Sequence, residues 1–399
     1  MKILLLENIH PGAGAIFAAA GHAVERVPHS PPRKVVAQEI GDITVLGIRS
    51  KTRVTADLLE RAPNLLAIGA FCIGTEQVDL DACSRRGVAV FNAPYSNTRS
   101  VVELALGEMI LLLRGVVGRS VDLHRGVWGK SSVGFHEIRG KKLGIVGYGN
   151  IGSQLSVLAE AMGMEVNYHD LVEKLPLGNA RKCSLEELLR VSDVVTIHID
   201  GREENRRFVG EREFAAMKDG VIFLNLSRGF VVDVDALARN VRSGKVRGAA
   251  VDVFPEEPRS NKDPFSSPLQ GLPNVILTPH VGGSTEEAQQ GIGGFVAAGL
   301  LEYLSTGSTP MSVNFPVLSS SSTPTPQRHR FAHLHENLPG MLAKINDLFA
   351  RNGVNITGQR LETRGRLGYA LIDVAQGCDL GIVEELRRIP NTIRTRLVY

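Results

Sequence analysis

Three side chains of complementary chemistry follow one another in the second half of the chain: Arg228 in NLSRG, Glu257 in FPEEP and His280 in LTPHVGG. Oxidising a secondary alcohol requires a base for the hydroxyl proton, and the reverse step requires a cation to polarise the carbonyl. These residues supply those types. His280 is expected to be the neutral base in oxidation and the protonated acid in reduction, Glu257 to orient it and raise its pKa, and Arg228 to hold a substrate carboxylate and carbonyl. Upstream, Gly147, Gly149 and Gly152 in GYGNIG lie after the apolar run KLGIV and before QLSVLAEAMG. In that context the first glycine permits a tight turn and the second lets the backbone approach a pyrophosphate. The third allows close helix packing, and the helix N-terminus lends positive field. Asp170, at the end of VNYHD and about 20 residues on, is placed to accept hydrogen bonds from ribose hydroxyls. It would repel a 2′-phosphate and no arginine follows it, so NAD is expected rather than NADP.

These residues need a scaffold. Arg228 follows the strand-like run VIFLNLS (221–227) and His280 follows NVILTP (274–279), so both are expected at carboxyl ends of strands, the edge where open parallel sheets bind ligands. Apolar runs alternating with helix-like runs extend on both sides of the glycine loop, which predicts an α/β chain with two doubly wound parallel-sheet domains. The first, flavodoxin-like, is expected to span 1–96 and 285–316, discontinuous because a helix opened by a Ser284-Thr285-Glu286-Glu287 capping box returns to it. The second, a Rossmann domain, is expected over 97–284. The Ser- and Pro-rich stretch VLSSSSTPTPQRHR predicts a linker at 317–330. After it, residues 331–399 read βαββαβ, the ferredoxin-like pattern.

Composition sets outer bounds. The 399 residues are 43% hydrophobic and 22% charged, with mean hydropathy near zero, too many for one ordinary core. A net charge of +3 with only 5% aromatics argues against a nucleic-acid partner. No run is apolar enough for a membrane span and no secretory signal is apparent, so a cytoplasmic protein is expected. Cys72, Cys83, Cys183 and Cys378 lack paired metal-ligand spacing, so free thiols and no metal site are expected.

GYGNIG, NLSRG, AAVDVFPEEP and LTPHVGGSTEEA resemble the D-isomer-specific 2-hydroxyacid dehydrogenases, whose catalytic trio falls here on Arg228, Glu257 and His280. GIRSKT (47–52), IGAFCIGTEQVDLDA (68–82), FNAPYSNTRSVVELALGEMILLLRG (91–115) and RGVW (125–128) resemble the D-3-phosphoglycerate dehydrogenase branch of that family, over nearly the whole chain. The resemblance implies NAD-linked oxidation of 3-phosphoglycerate to 3-phosphohydroxypyruvate, the entry to serine synthesis. Beyond the glycine loop and Asp170, it implies cofactor contacts at Asn150, Ile151, Ser227, Asp252 and the stretch from His280 through Gly282 and Gly283. It also implies a homo-tetramer built through the cofactor and C-terminal domains.

Such a substrate has two anionic ends. Among Arg49, Lys51 and Arg53 at a strand end, Arg49 and Lys51 are the chosen phosphate ligands. The amides of Ile73 and Gly74 in the CIGTE turn are offered to the carboxylate, and Asn97 opens the connecting helix. Lys51 departs from the arginine common in the family, which puts bidentate phosphate contact in question. FAHLHENLPGMLAKINDLFARNGVNI resembles the opening of an ACT regulatory domain, whose effector contacts would fall on His335, Asn337 and Asn355, so feedback inhibition by L-serine is expected. Leu338, where a basic residue is frequent, and the unusual linker are departures. A purely dimerising domain is the alternative. Trp128 fits a subunit contact or a core position. Two other functions stay open: a dehydrogenase for another 2-hydroxyacid such as 2-hydroxyglutarate, and a non-catalytic NAD-binding corepressor.

Overall fold

Apolar runs without a polar break become strands of parallel sheets in the computed structural model, which describes residues 1–31, 40–258, 262–319 and 328–399. These residues form two compact units, one of 1–96 with 289–399 and one of 97–288.

In the first unit, β1 (Lys2–Leu5), β2 (Ala23–Arg26), β3 (Val45–Ile48), β4 (Ala67–Ala70) and β5 (Ala89–Asn92) form a parallel sheet in the order β2-β1-β3-β4-β5. The edge strand β2 gives little sequence signal, because only half of AVER is apolar and none of it is buried. The helix Glu286–Thr306 presents Ile292, Val296, Leu300 and Tyr303 to the core that holds Ile3, Phe71 and Phe91. Its cap is Thr285 rather than Ser284. The Thr285 hydroxyl accepts the Ala288 amide at 3.1 Å, whereas the Ser284 amide is turned back to the Val281 carbonyl.

The same unit contains an antiparallel sheet of β13 (Arg328–Glu336), β14 (Ile356–Arg364), β15 (Leu367–Ala375) and β16 (Thr392–Leu397), ordered β14-β15-β13-β16. The two-residue period of β13 sends Phe331 toward Ile345 and Phe349 of one helix and Leu386 of another, and sends Ala332 and Leu334 into the core shared with Tyr303 and Phe315. Arg330, 1% exposed, pairs with Asp373 at 2.6 Å and donates to the Thr306 carbonyl at 3.0 Å. Arg396 donates to the carbonyls of Tyr303 and Leu304, and the Tyr369 hydroxyl to that of Gly307. Carbonyls at a helix C-terminus carry partial negative charge, which these guanidinium groups meet. The expected linker is partly accounted for: Leu318 is buried and bonded to Thr309, Arg328–Arg330 belong to β13, and 320–327 lie outside the described residues.

The second unit is a seven-stranded parallel sheet of β6 (Lys142–Val146), β7 (Glu165–His169), β8 (Arg181–Lys182), β9 (Val194–Ile197), β10 (Val221–Asn225), β11 (Val246–Val251) and β12 (Val275–Leu277), ordered β12-β11-β10-β9-β6-β7-β8. Helix Thr98–Arg114 buries Val101, Val102, Ala105, Met109 and Leu112 in the core that also holds Ile145, Ile222 and Ala250. Helix Val116–His124 buries nothing, and Trp128 is 79% exposed, which removes the core alternative for it in the single chain. The four cysteines are free, and no described helix is long and apolar enough to cross a membrane.

Candidate active site

The glycine loop leaves β6, the strand whose neighbours β7 and β9 lie on opposite sides of the point where the winding reverses. Gly147 has a φ of 94°, and a side chain there would meet the His198 carbonyl at 2.5 Å. At Gly152 a side chain would run into the Gly147 carbonyl. Gly149 differs: it is exposed and has nothing within 4 Å of where a Cβ would stand. The loop thus keeps an open face beside the first turn of helix Asn150–Ala161, which has no side-chain cap. That cradle suits a pyrophosphate. Asn150 is exposed and Ile151 half-buried at the same turn. Asp170, immediately after β7, accepts the Tyr148 amide at 2.8 Å and the Val172 amide at 2.9 Å, one on each oxygen. Each oxygen retains a lone pair for a ribose hydroxyl.

Arg228, Glu257 and His280 come together. His280 Nδ1 lies 2.9 Å and 3.0 Å from the two Glu257 carboxylate oxygens, and the Phe254 amide donates to Glu257 Oε1 at 3.2 Å. The Glu257 hydrogen bond raises the His280 pKa. Burial opposes it, the Glu257 and Asp252 charges add to it, and Arg228 subtracts. Burial would raise the Glu257 carboxyl in turn, but the His280 bond and charge, the Phe254 amide and Arg228 hold it below the ordinary range. The imidazole therefore has its Nδ1 side engaged and its Nε2 side available for proton transfer. Arg228 is placed by its own loop, with its guanidinium on the Ser227 carbonyl at 2.9 Å, its stem against Gly201, and its carbonyl accepting from Asn225 at 3.1 Å. The Ser227 amide and hydroxyl both donate to Asn225 Oδ1.

His280 has a φ of 55°, an unusual backbone state for a side-chain-bearing residue. Asp252 holds that turn. Its buried carboxylate accepts the Thr278 hydroxyl at 2.6 Å and the amides of Val281 and Gly282 at 2.8 Å each, and its carbonyl accepts the His280 amide at 2.8 Å. Oδ2 carries one of these bonds and keeps a second lone pair. Gly283 lies against the Asn97 side chain.

In the first unit, Arg49 and Lys51 follow β3, while Ile73 and Gly74 follow the neighbouring β4. Gln77 Nε2 joins the two loops, donating to the Arg49 carbonyl at 2.7 Å and to Cys72 Sγ at 3.3 Å. Asn92 Nδ2 donates to the Ile73 carbonyl at 2.5 Å. Neither Arg49 nor Lys51 forms an ion pair among the described residues. Glu7, Gln77, Asn92, Asn225 and Thr278, which shape these loops, escaped the sequence reading, because their partners are remote in sequence or their motif signal was absorbed by a neighbour.

The residues expected to contact an effector are not brought together within one chain. His335 is buried opposite Gly368 at the start of β15, with Asn337 just beyond it, whereas the Asn355 carbonyl accepts from Ala375 at the far end of that strand. From Gly368 to Ala375 the strand rises roughly 23 Å at ~3.3 Å per residue. His335 Nδ1 bonds the Glu336 carbonyl at 2.8 Å, while its buried Nε2 has no partner among the described residues.

Residues 106–282 match the D-isomer specific 2-hydroxyacid dehydrogenase NAD binding domain, and 331–394 match an AHAS small subunit-like ACT domain. The chain is 47% identical to D-3-phosphoglycerate dehydrogenase of Haemophilus influenzae over 401 residues, covering 100% of this chain and 97% of that one. It is also 47% identical to the enzyme of that name from Escherichia coli over 403 residues, with 100% and 98% covered. Among solved structures it is similar to D-2-hydroxyisocaproate dehydrogenase, with a TM-score of 0.70 and 26% identity over 79% of this chain and 100% of that one.

Proposed function

The chain belongs to the D-isomer specific 2-hydroxyacid dehydrogenase family, among its D-3-phosphoglycerate dehydrogenases, and from that premise we propose that it oxidises 3-phospho-D-glycerate to 3-phosphohydroxypyruvate with NAD, the first step of L-serine synthesis. The observation that carries this reading is the His280–Glu257 pair beside Arg228 in the NAD binding domain. NAD, when bound, accepts the hydride from the substrate carbon. The open face at Gly149, Asn150 and Ile151 would hold its pyrophosphate, Asp170 its ribose, and Ser227, Asp252, Gly282 and Gly283 its nicotinamide end. His280 Nε2 takes the hydroxyl proton. Glu257 stabilises the imidazolium that results, and Arg228 balances negative charge growing on the carbonyl oxygen. Arg49 and Lys51 take the phosphate, and the Ile73 and Gly74 amides with Asn97 take the carboxylate. The work is that of a cytosolic enzyme.

The ACT domain points to an amino-acid effector, and L-serine, the end product, is the one proposed. His335 and Asn337 lie a strand's length from Asn355, which supports a reading in which a second copy of the chain supplies the asparagine to each effector site, within an oligomer proposed as a tetramer. Steady-state NADH formation tests the reading. His280→Ala should lower kcat by about 10²- to 10⁴-fold, and Arg49→Ala should raise KM for 3-phosphoglycerate. Serine should inhibit the wild type and not His335→Ala. No NADH from 3-phosphoglycerate would refute the activity, and turnover indifferent to serine would leave the C-terminal domain a pairing role only.

A further inference from the structure

The loop that carries Arg49 and Lys51 takes its shape from a carboxylate on a neighbouring strand. Glu7 follows β1, which pairs directly with β3, so the two carboxyl ends lie side by side. Glu7 is 7% exposed, and its carboxylate accepts the Lys51 amide at 2.9 Å and the Thr52 amide at 2.7 Å, one on each oxygen. Glu7 and Asn8 hold positive φ values of 62° and 52°, a region that residues with side chains seldom occupy. The turn after β1 is thus held against its local preference in the arrangement that delivers this carboxylate. The remaining freedom of the 49–52 loop is removed elsewhere: Gln77 grips the Arg49 carbonyl, and the Thr52 hydroxyl bonds that of Ser30 at 2.9 Å.

Two consequences follow from how these bonds are distributed. With the Lys51 and Thr52 amides taken, an anion at this loop meets side chains, not those two amides. With both Glu7 oxygens directed at amides, the carboxylate does not ion-pair with Arg49 or Lys51, although it braces their loop and lies near Cys72 together with Arg49. An acid that could have neutralised the cations instead shapes their loop.

We infer that Glu7 is a positioning residue for substrate recognition, setting the 49–52 loop so that Arg49 and Lys51 meet the phosphoryl group while Glu7 itself touches no substrate. This rests on the phosphate role proposed above for Arg49 and Lys51. Glu7→Gln keeps one acceptor but turns an NH₂ toward an amide donor, so one of the two braces is lost and repelled. Glu7→Asp keeps both acceptors on a stem one methylene shorter.

The full-length enzyme is assayed in the reducing direction with 3-phosphohydroxypyruvate and with its unphosphorylated counterpart, hydroxypyruvate. Losing one net hydrogen bond of about 1 kcal/mol corresponds to roughly a five-fold change. Glu7→Gln should raise KM for the phosphorylated substrate by about that factor or more, while kcat, KM for NADH and KM for hydroxypyruvate stay within about two-fold. Glu7→Asp should fall between it and the wild type, and it supplies the same readout if Glu7→Gln yields no folded protein. A KM that rises equally for both substrates, or a change confined to kcat or NADH, overturns the inference, as does an unchanged KM. If Arg49→Ala itself fails to separate the two substrates, the phosphate role falls. If Arg49→Ala separates them and neither Glu7 variant does, only the role of Glu7 falls.

Discussion

Glu257→Gln removes the charge facing His280 Nδ1 while keeping the side chain's length, so it isolates what the carboxylate does for proton transfer. The two contacts of 2.9 Å and 3.0 Å define a charge-assisted hydrogen bond between side chains that are 51% exposed on His280 and 37% on Glu257. Bonds of this kind contribute ~1.5–3 kcal/mol, and partial solvent screening reduces that to about 1–2 kcal/mol. The stabilisation is greatest once His280 carries the proton, so its loss should fall on kcat and kcat/KM together, by roughly 5- to 30-fold, with KM for NAD unchanged. The pH dependence has a definite sign. His280 is raised by the Glu257 hydrogen bond, with burial opposing and the Glu257 charge assisting, so the variant's imidazole loses its proton at lower pH than the wild type's. Oxidation requires the neutral base, and the acidic limb of its kcat/KM profile should therefore move to lower pH. Reduction requires the acid form, and its falling limb should move the same way. Initial rates in both directions across the neutral range read this out. Limbs that stay in place, or a loss confined to KM for NAD, would refute the assignment of Glu257 as the partner of the catalytic imidazole.

Three further substitutions test the cofactor cradle and a buried carboxyl. Gly149→Ala has open space for its methyl group and should keep the wild-type melting temperature while raising KM for NAD by about ten-fold or more, whereas Gly152→Ala drives a methyl into the Gly147 carbonyl and should lower the melting temperature; equal effects on NAD and stability in both would contradict the cradle. Glu108, 2% exposed and with neither carboxylate oxygen hydrogen-bonded among the described residues, is pushed up to about 8 by burial and then by the Asp252 charge. The folded state keeps a proton that the unfolded chain gives up above ordinary carboxylate pKa values, so this group's contribution to stability falls as pH rises from about 4.5 toward 8. Glu108→Gln carries no such proton, and its advantage over the wild type in urea denaturation should be small near the low end and grow to roughly 2–4 kcal/mol at the high end. Parallel pH profiles for the two proteins would show that Glu108 is not protonated in the folded state.

Strand ends and motif order were legible from the chain because they depend on local pattern. Apolar runs fall at the strands of three to five residues that carry GYGNIG, SRG and PH, and glycine spacing between a strand and a helix predicts which position stays open to a phosphate. Helix ends were legible to within about three residues, the shift from Ser284 to Thr285 being decided by which hydroxyl finds a free amide. The short edge strand β2 was not anticipated, since it lacks the uninterrupted apolar run of a buried element.

The sequence by itself therefore determined which residue types stand at the carboxyl ends of which strands, and with them the class of chemistry. Tertiary structure decided the pairings. Glu257 lands on His280, Asp252 clamps the turn that holds His280 at positive φ, and Glu7 reaches the amides of Lys51 and Thr52, all through contacts between chain-distant loops. Strand order created those contacts: β11 beside β12 and β1 beside β3 bring their following loops within hydrogen-bonding range. The same register sets His335 and Asn355 at opposite ends of β15, a separation along the strand that residue spacing in the chain does not encode.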